Sequence, residues 1–198
     1  MLKNTHIYTY FLIFKQITMS KSSYTGIKRI QQPIVYSHIK AKGSFSGLCG
    51  SSLEFYIKDV EALKPGRKRV LMYDTNKNLI NRYKAKKDRL THLNLKLFNK
   101  CISKGPPTRI YDLDFCKTLL TVSPIVFKIM HTQYNAYSQD KVLHKSIVIT
   151  TCKRGESINN YVFLDMAKLY LRNRITDYNV IKYQNKQSRM ESIIINWL

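Results

Sequence analysis

Two acids stand one residue apart in "RIYDLDFC", residues 109–116, inside an otherwise apolar run. The chain has 12 Asp and Glu against 34 Lys and Arg, so a pair placed where a buried strand is expected calls for a reason. An ionised carboxylate buried without partners is costly. Strand alternation puts Asp112 and Asp114 on one side and Leu113 on the other. Asp114 stands at the carboxyl end of the run, where a ligand would sit and water can reach, and is the candidate site residue. Asp112 lies further back. It is expected to bond a neighbouring backbone group or a base such as Arg109.

Three other stretches carry residue types that suit a ligand. In "SGLCGSS" (46–52), Gly47, Gly50 and Ser51 form a glycine turn after an apolar piece, and such a turn lets a ligand approach the backbone closely. "RVLMYD" ends on Asp74, which follows Gly50 by 24 residues. An acid ending the second strand about 20 residues beyond a glycine turn is placed to accept hydrogen bonds from both hydroxyls of a ribose. "TTCKRGE" (150–156) puts Lys153 and Arg154 after an apolar strand, where they suit a phosphate or the backbone of a substrate. Each has a plainer reading taken alone: a turn, a helix cap, an exposed basic turn. Their order along the chain is what points to a nucleoside site.

The elements that must position these residues alternate from about Ser44. Strand-like pieces are expected at 43–52, 69–73, 93–98, 109–113 and 145–151, and helix-like pieces at 53–64, 76–88, 117–135 and 157–174. Pro124 is expected to kink or restart the third helix. "YNVIKY" (178–183) and "RMESIIINW" (189–197), joined by "QNKQS", read as a hairpin. Repeated strand–helix alternation requires crossover connections. The expected fold is therefore α/β: a doubly wound, mostly parallel Rossmann-like sheet with helices on both faces and a C-terminal antiparallel β-hairpin. Residues 43–198 make one domain. Residues 1–40 show no clean periodicity and read as an N-terminal extension, poorly ordered, with Met19 offering a second start.

"SFSGLCGSSLEFY", "RVLMYDTN", "RIYDLDFC" and "SIVITTCKRGE", followed by a terminal hairpin, together resemble the class I, Rossmann-like S-adenosylmethionine-dependent methyltransferases. The resemblance spans about residues 43–198. It implies that Gly47, Gly50, Ser51 and Asp74 hold S-adenosylmethionine. It also implies that Asp114 faces the methyl acceptor, with Phe115, Lys153 and Arg154 towards the substrate. Two departures stand out. The family's glycine loop is acid-x-G-x-G-x-G, and this chain has "GLCG" without a preceding acid. Methyltransferases of adenine or cytosine amino groups carry (D/N)PP(Y/F) after the fourth strand, and this chain has "DLDF".

The formal charge is +22. Such a balance attracts polyanions, nucleic acid first. Richness in Lys, Asn, Ile and Tyr is also what A+T-biased coding in organelles or viruses produces, and both origins fit. The four cysteines form no CxxC pair and no His stands at metal spacing beside them, so they read as reduced thiols of an intracellular protein, with no metal site. Ile7–Phe14 is too short to span a membrane. Two rival readings accompany the methyltransferase: a non-catalytic basic nucleic-acid-binding protein, and a relative whose site has decayed.

Overall fold

Val70 to Tyr73, Ile147 to Ile149 and Ile193 to Ile195 run without a polar interruption, and all are buried. Runs of that kind suit strands covered on both faces. The computed structural model, which describes residues 27–48, 60, 69–85, 95–115, 117–153, 159–184 and 189–198, places them in one seven-stranded sheet. The strands are β1 (Phe45–Leu48), β2 (Val70–Asp74), β3 (Leu95–Asn99), β4 (Ile110–Asp114), β5 (Lys145–Lys153), β6 (Ile175–Gln184) and β7 (Arg189–Trp197). Their spatial order is β3-β2-β1-β4-β5-β7-β6. β1 to β5 pair in parallel, and β7 pairs antiparallel with both β5 and β6. The winding reverses between β1 and β4, which makes that gap the switch point of the sheet. The doubly wound sheet with a terminal hairpin is thus the fold the sequence led us to expect.

Helices cover both faces. α1 spans Ile27–Ser37, α2 Lys77–Ala85, α3 Leu119–Tyr137 and α4 Asn160–Tyr170. Phe127 and Met130 of α3 and Phe163 and Leu164 of α4 pack on Leu113, Ile149 and Trp197 on one face. Val35 and Tyr36 of α1 and Ile80 and Tyr83 of α2 pack on Phe45, Met72 and Val148 on the other. Residues 27–40, left in the extension by the sequence reading, therefore contribute to the packed core of that second face. Of the helix expected over 53–64, Val60 is described, helical and buried; the rest lies outside the described residues.

α3 neither breaks nor restarts at Pro124 but runs on for 19 residues. The ring leaves the Leu120 carbonyl, four residues back, without its intrahelical donor. Leu120 and Pro124 both face solvent, where water can donate to that carbonyl in place of the missing N–H. The Ser123 hydroxyl adds a bond to the Leu119 carbonyl at 2.6 Å, and the Thr118 side chain caps the first turn.

At the amino end of β4 and β5 the packing includes charge. Lys145 is fully buried, with its Nζ 4.9 Å from the centre of the Trp197 ring and donating to the Asp140 carbonyl. Arg109 Nη2 lies 2.5 Å from Asp140 Oδ2. The Leu143 N–H first, and then the Arg109 guanidinium, hold the Asp140 carboxyl down at about 2, against an ordinary 3.8. A carboxyl lowered in the folded state contributes stability that is present above its unfolded value and lost as pH falls through its folded one. Between pH 4 and 2 the wild type should therefore lose stability partly through this group. Asp140→Asn should flatten that segment of a Tm-versus-pH curve, and a curve parallel to wild type would remove Asp140 from the account.

Candidate functional site

The carboxyl ends of the parallel strands meet at the switch point, and three candidate residues stand there on one face. Gly47 of β1 lies in register with Met72 of β2 on one side and Asp112 of β4 on the other. Asp74 closes β2 and Asp114 closes β4. Met72 packs among the residues under α1 and α2. Asp74 and Asp114 lie two residues beyond Met72 and Asp112, so strand alternation directs them to the same face.

Asp74 is half-buried, and its Oδ1 accepts the Asn76 N–H at 2.7 Å. Asn76 then accepts the Asn78 N–H at 3.0 Å and so starts α2. Asn99, at the end of β3, donates to the Asp74 and Thr75 carbonyls at 3.2 and 3.0 Å. Asp74 thus has a capping duty besides any contact with a ligand. The chemistry of this end, a carboxylate closing β2 beside a residue without a side chain in β1, fits the ribose of a nucleoside. Gly50, Ser51 and Arg154 lie outside the described residues.

Asp112 is buried, and its Oδ2 accepts from the Tyr36 hydroxyl at 2.6 Å and from Gln32 Nε2 at 2.8 Å. Its partners come from α1, not from Arg109. Arg109 precedes β4 at the amino end and turns to Asp140 there, while Asp112 faces α1 from the middle of the strand. A residue pair close in sequence is separated by the pleat.

Sequence reasoning missed a polar row on this same face. Asp114 is in register with Thr150 of β5, and Thr150 with Ser192 of β7; the two hydroxyl oxygens are 2.8 Å apart. Tyr183 of β6 continues the row. Burial pushes its phenol pKa upward, with a further rise from the Asp114 carboxylate, while a hydrogen bond with Ser192 opposes them. No spacing signal could find this row, because it runs across four strands and not along one.

Phe115 and Lys153 lie elsewhere. Phe115 packs with the residues beneath α3 and α4, held by its N–H on the Thr150 carbonyl at 2.8 Å. Lys153 leaves β5 one step out of phase with Thr150, on that same far face. Its Nζ is 3.1 Å from Glu191 Oε2. Glu191 is buried and also accepts from Asn160 Nδ2 at 3.0 Å. The structure brings Gly47, Asp74 and Asp114 together and sets Phe115 and Lys153 apart from them.

Among the described residues no three of His, Cys, Asp and Glu cluster as a metal site would need, and no helix is long and apolar enough to cross a membrane. No protein-family model matches the sequence, and no curated protein matches it. Solved structures match it in shape. M. jannaschii TYW2, in complex with AdoMet, matches over 92% of this chain and 78% of its own, with a TM-score of 0.57 and 10% identity. M. capricolum TrmK, in complex with S-adenosyl-homocysteine, matches over 84% of this chain and 67% of its own, at 0.54 and 11%. An rRNA methylase from Streptococcus thermophilus matches over 85% of this chain and 95% of its own, at 0.51 and 11%. At such identities the likeness is one of architecture: this chain has the Rossmann-like fold of the S-adenosylmethionine-dependent methyltransferases.

Proposed function

We propose that the protein is an S-adenosylmethionine-dependent methyltransferase acting on nucleic acid. The observation that carries this reading is the meeting of Gly47, Asp74 and Asp114 on one face at the switch point of a methyltransferase-type sheet. Asp74 would accept hydrogen bonds from the ribose hydroxyls, and the bare backbone at Gly47, continuing into Gly50 and Ser51, would line the approach. When bound, the cofactor supplies an electrophilic methyl group. Asp114 would hold the acceptor by its N–H or O–H and take up the proton released. Asp112, fixed by Tyr36 and Gln32, keeps β4 and α1 in place beneath that point. Basic charge and RNA-methylating neighbours in fold support a nucleic-acid acceptor.

The test is calorimetry with S-adenosylmethionine. Saturable binding is expected, and Asp74→Ala should weaken it about tenfold or more, the worth of hydrogen bonds to a charged acceptor. Asp74→Ala also removes the cap on Asn76, at about 1 kcal/mol. Asp74→Asn keeps an oxygen for that cap while losing the charge, and so separates the two effects. A folded protein that binds nothing at millimolar cofactor would defeat the proposal. That result would favour a non-catalytic binding protein, in which Asp74 serves only its Asx turn.

A further inference from the structure

The amino end of the sheet, opposite the candidate site, gathers cations. One belt of hydrogen bonds ties its segments together. The Phe45 N–H donates to the Arg69 carbonyl at 3.0 Å and the Ser146 N–H to the Arg109 carbonyl at 2.9 Å. The Lys40 N–H donates to Asn196 Oδ1 at 3.1 Å and the Leu198 N–H to the Arg174 carbonyl at 3.2 Å. Among the described residues two acids share this end, and both are occupied. Asp140 takes Arg109 and Lys145, and Asp177 takes Lys40 at 3.2 Å. Lys42, Arg69, Lys141 and Arg172 are exposed, and among the described residues they make no ion pair.

Two of these cations, Lys141 and Arg172, border recesses. A cavity of about 370 Å³ is lined by Lys141, Asn173, Arg174 and Thr176. Another, of about 420 Å³ between α3 and α4, is lined by His131, Tyr134, Tyr170 and Arg172. The Arg172 and Arg174 guanidiniums lie 5.5 and 5.3 Å from the centre of the Tyr134 ring, so both are held by a flat aromatic support. Arg172 and Asn173 have φ of 46° and 58°, a left-handed pair that an L side chain adopts at a cost. The strained turn fixes where the two arginines leave the backbone. At the other end Lys153 is neutralised by Glu191, and Asp74 and Asp114 add negative charge.

We infer that the amino end of the sheet is an anchoring surface for the phosphodiester chain of a nucleic acid. Forked guanidiniums and unpaired lysines suit phosphate oxygens. The exposed Tyr170 ring beside Arg172 suits a stacked base. Asp114 is in register with Thr150, five residues on from Lys145, so along the strands the amino end lies roughly 15–20 Å from Asp114. A polymer held here leaves the carboxyl end open. The inference concerns binding alone and holds whether or not the chain transfers a methyl group.

The experiment is fluorescence anisotropy without cofactor, on the full chain, with a labelled 20-nucleotide RNA and the DNA of the same sequence. Two triple variants lose equal charge: Lys42→Gln/Lys141→Gln/Arg172→Gln at the amino end, and Lys100→Gln/Lys117→Gln/Arg189→Gln at the carboxyl end. The first should weaken binding at least tenfold and reduce the salt slope by about 2, the value for three phosphate contacts on a single strand. The second should change affinity less than twofold. Loss on both RNA and DNA identifies the phosphate chain as the ligand, and the tighter of the two names its source. Equal loss in the two triple variants, or none in the first, overturns the inference. So does capture by phosphatidylserine vesicles in a protein that binds neither oligonucleotide.

Discussion

Trp197→Ala should lower the melting temperature by about 6–20 °C, the shift expected in a chain of this size for a loss of about 3–5 kcal/mol. Trp197 is fully buried. Its ring stacks on Tyr134 at 5.8 Å and lies under the Lys145 ammonium, and its Nε1 donates to Gln133 Oε1 at 3.0 Å. Gln133 is itself buried and donates to the Thr108 and Arg109 carbonyls at 2.9 and 3.0 Å. Truncation therefore opens a cavity, strips a buried acceptor of its donor and leaves a buried ammonium without its aromatic partner. Trp197→Phe keeps an aromatic ring and most of the volume while removing the N–H, so it should cost less than the alanine, with about 1–2 kcal/mol from the stripped acceptor. A Trp197→Ala protein melting within 2 °C of wild type would contradict this account of the core.

Asp112→Leu should cost about 2–4 kcal/mol and loosen α1. The leucine keeps the volume but cannot accept from Tyr36 or Gln32, and a buried donor stripped of its acceptor costs about 1–3 kcal/mol. The effect is coupled. Adding Tyr36→Phe to Asp112→Leu should recover part of the loss, because an apolar pair replaces a broken polar one. Hydrogen exchange over residues 31–37 reports the docking directly, and protection there should fall in the single variant. Unchanged protection would show that α1 is held by Val35 and its apolar neighbours alone. Asp112 lies in register with Gly47, so the same variant should also weaken cofactor binding if the proposed function is right.

The opening question of two acids in one strand has a split answer that the sequence reached in part. Alternation places Asp112 and Asp114 on one face, and the strand end is visible from the apolar run that precedes it. The partners of Asp112 were not visible, because α1 carries Pro33 and its contact with β4 rests on Gln32 and Tyr36, neither of which makes a periodic apolar stripe. The hairpin was legible from the polar "QNKQS" between two β-branched runs. Buried Lys145 was not, since nothing local distinguishes a lysine that ends over a tryptophan from one that meets water. Lys153 follows the same logic. Its place at the end of β5 is plain from the sequence, while the face it takes depends on counting the pleat and on Glu191, 38 residues away. Residue types thus indicated where a site could be, and phase along each strand decided which of them share it.

The position of β7 has a consequence for the order in which the sheet assembles. β7 follows β6 in the chain yet lies between β6 and β5 in space. Being antiparallel to both, it leaves β5 and β6 running the same way, joined through α4, as in an ordinary crossover. Each therefore offers the other an edge that β7 must occupy instead. β6 and β7 are neighbours in sequence and meet on the microsecond scale of a hairpin, whereas Lys145 and Trp197 close a loop of about 50 residues. The route that avoids a wrong β5–β6 pairing is for the hairpin to form first and dock as a unit through β7. Seating Trp197 against Gln133 and Lys145 is then the step that locks the strands in register.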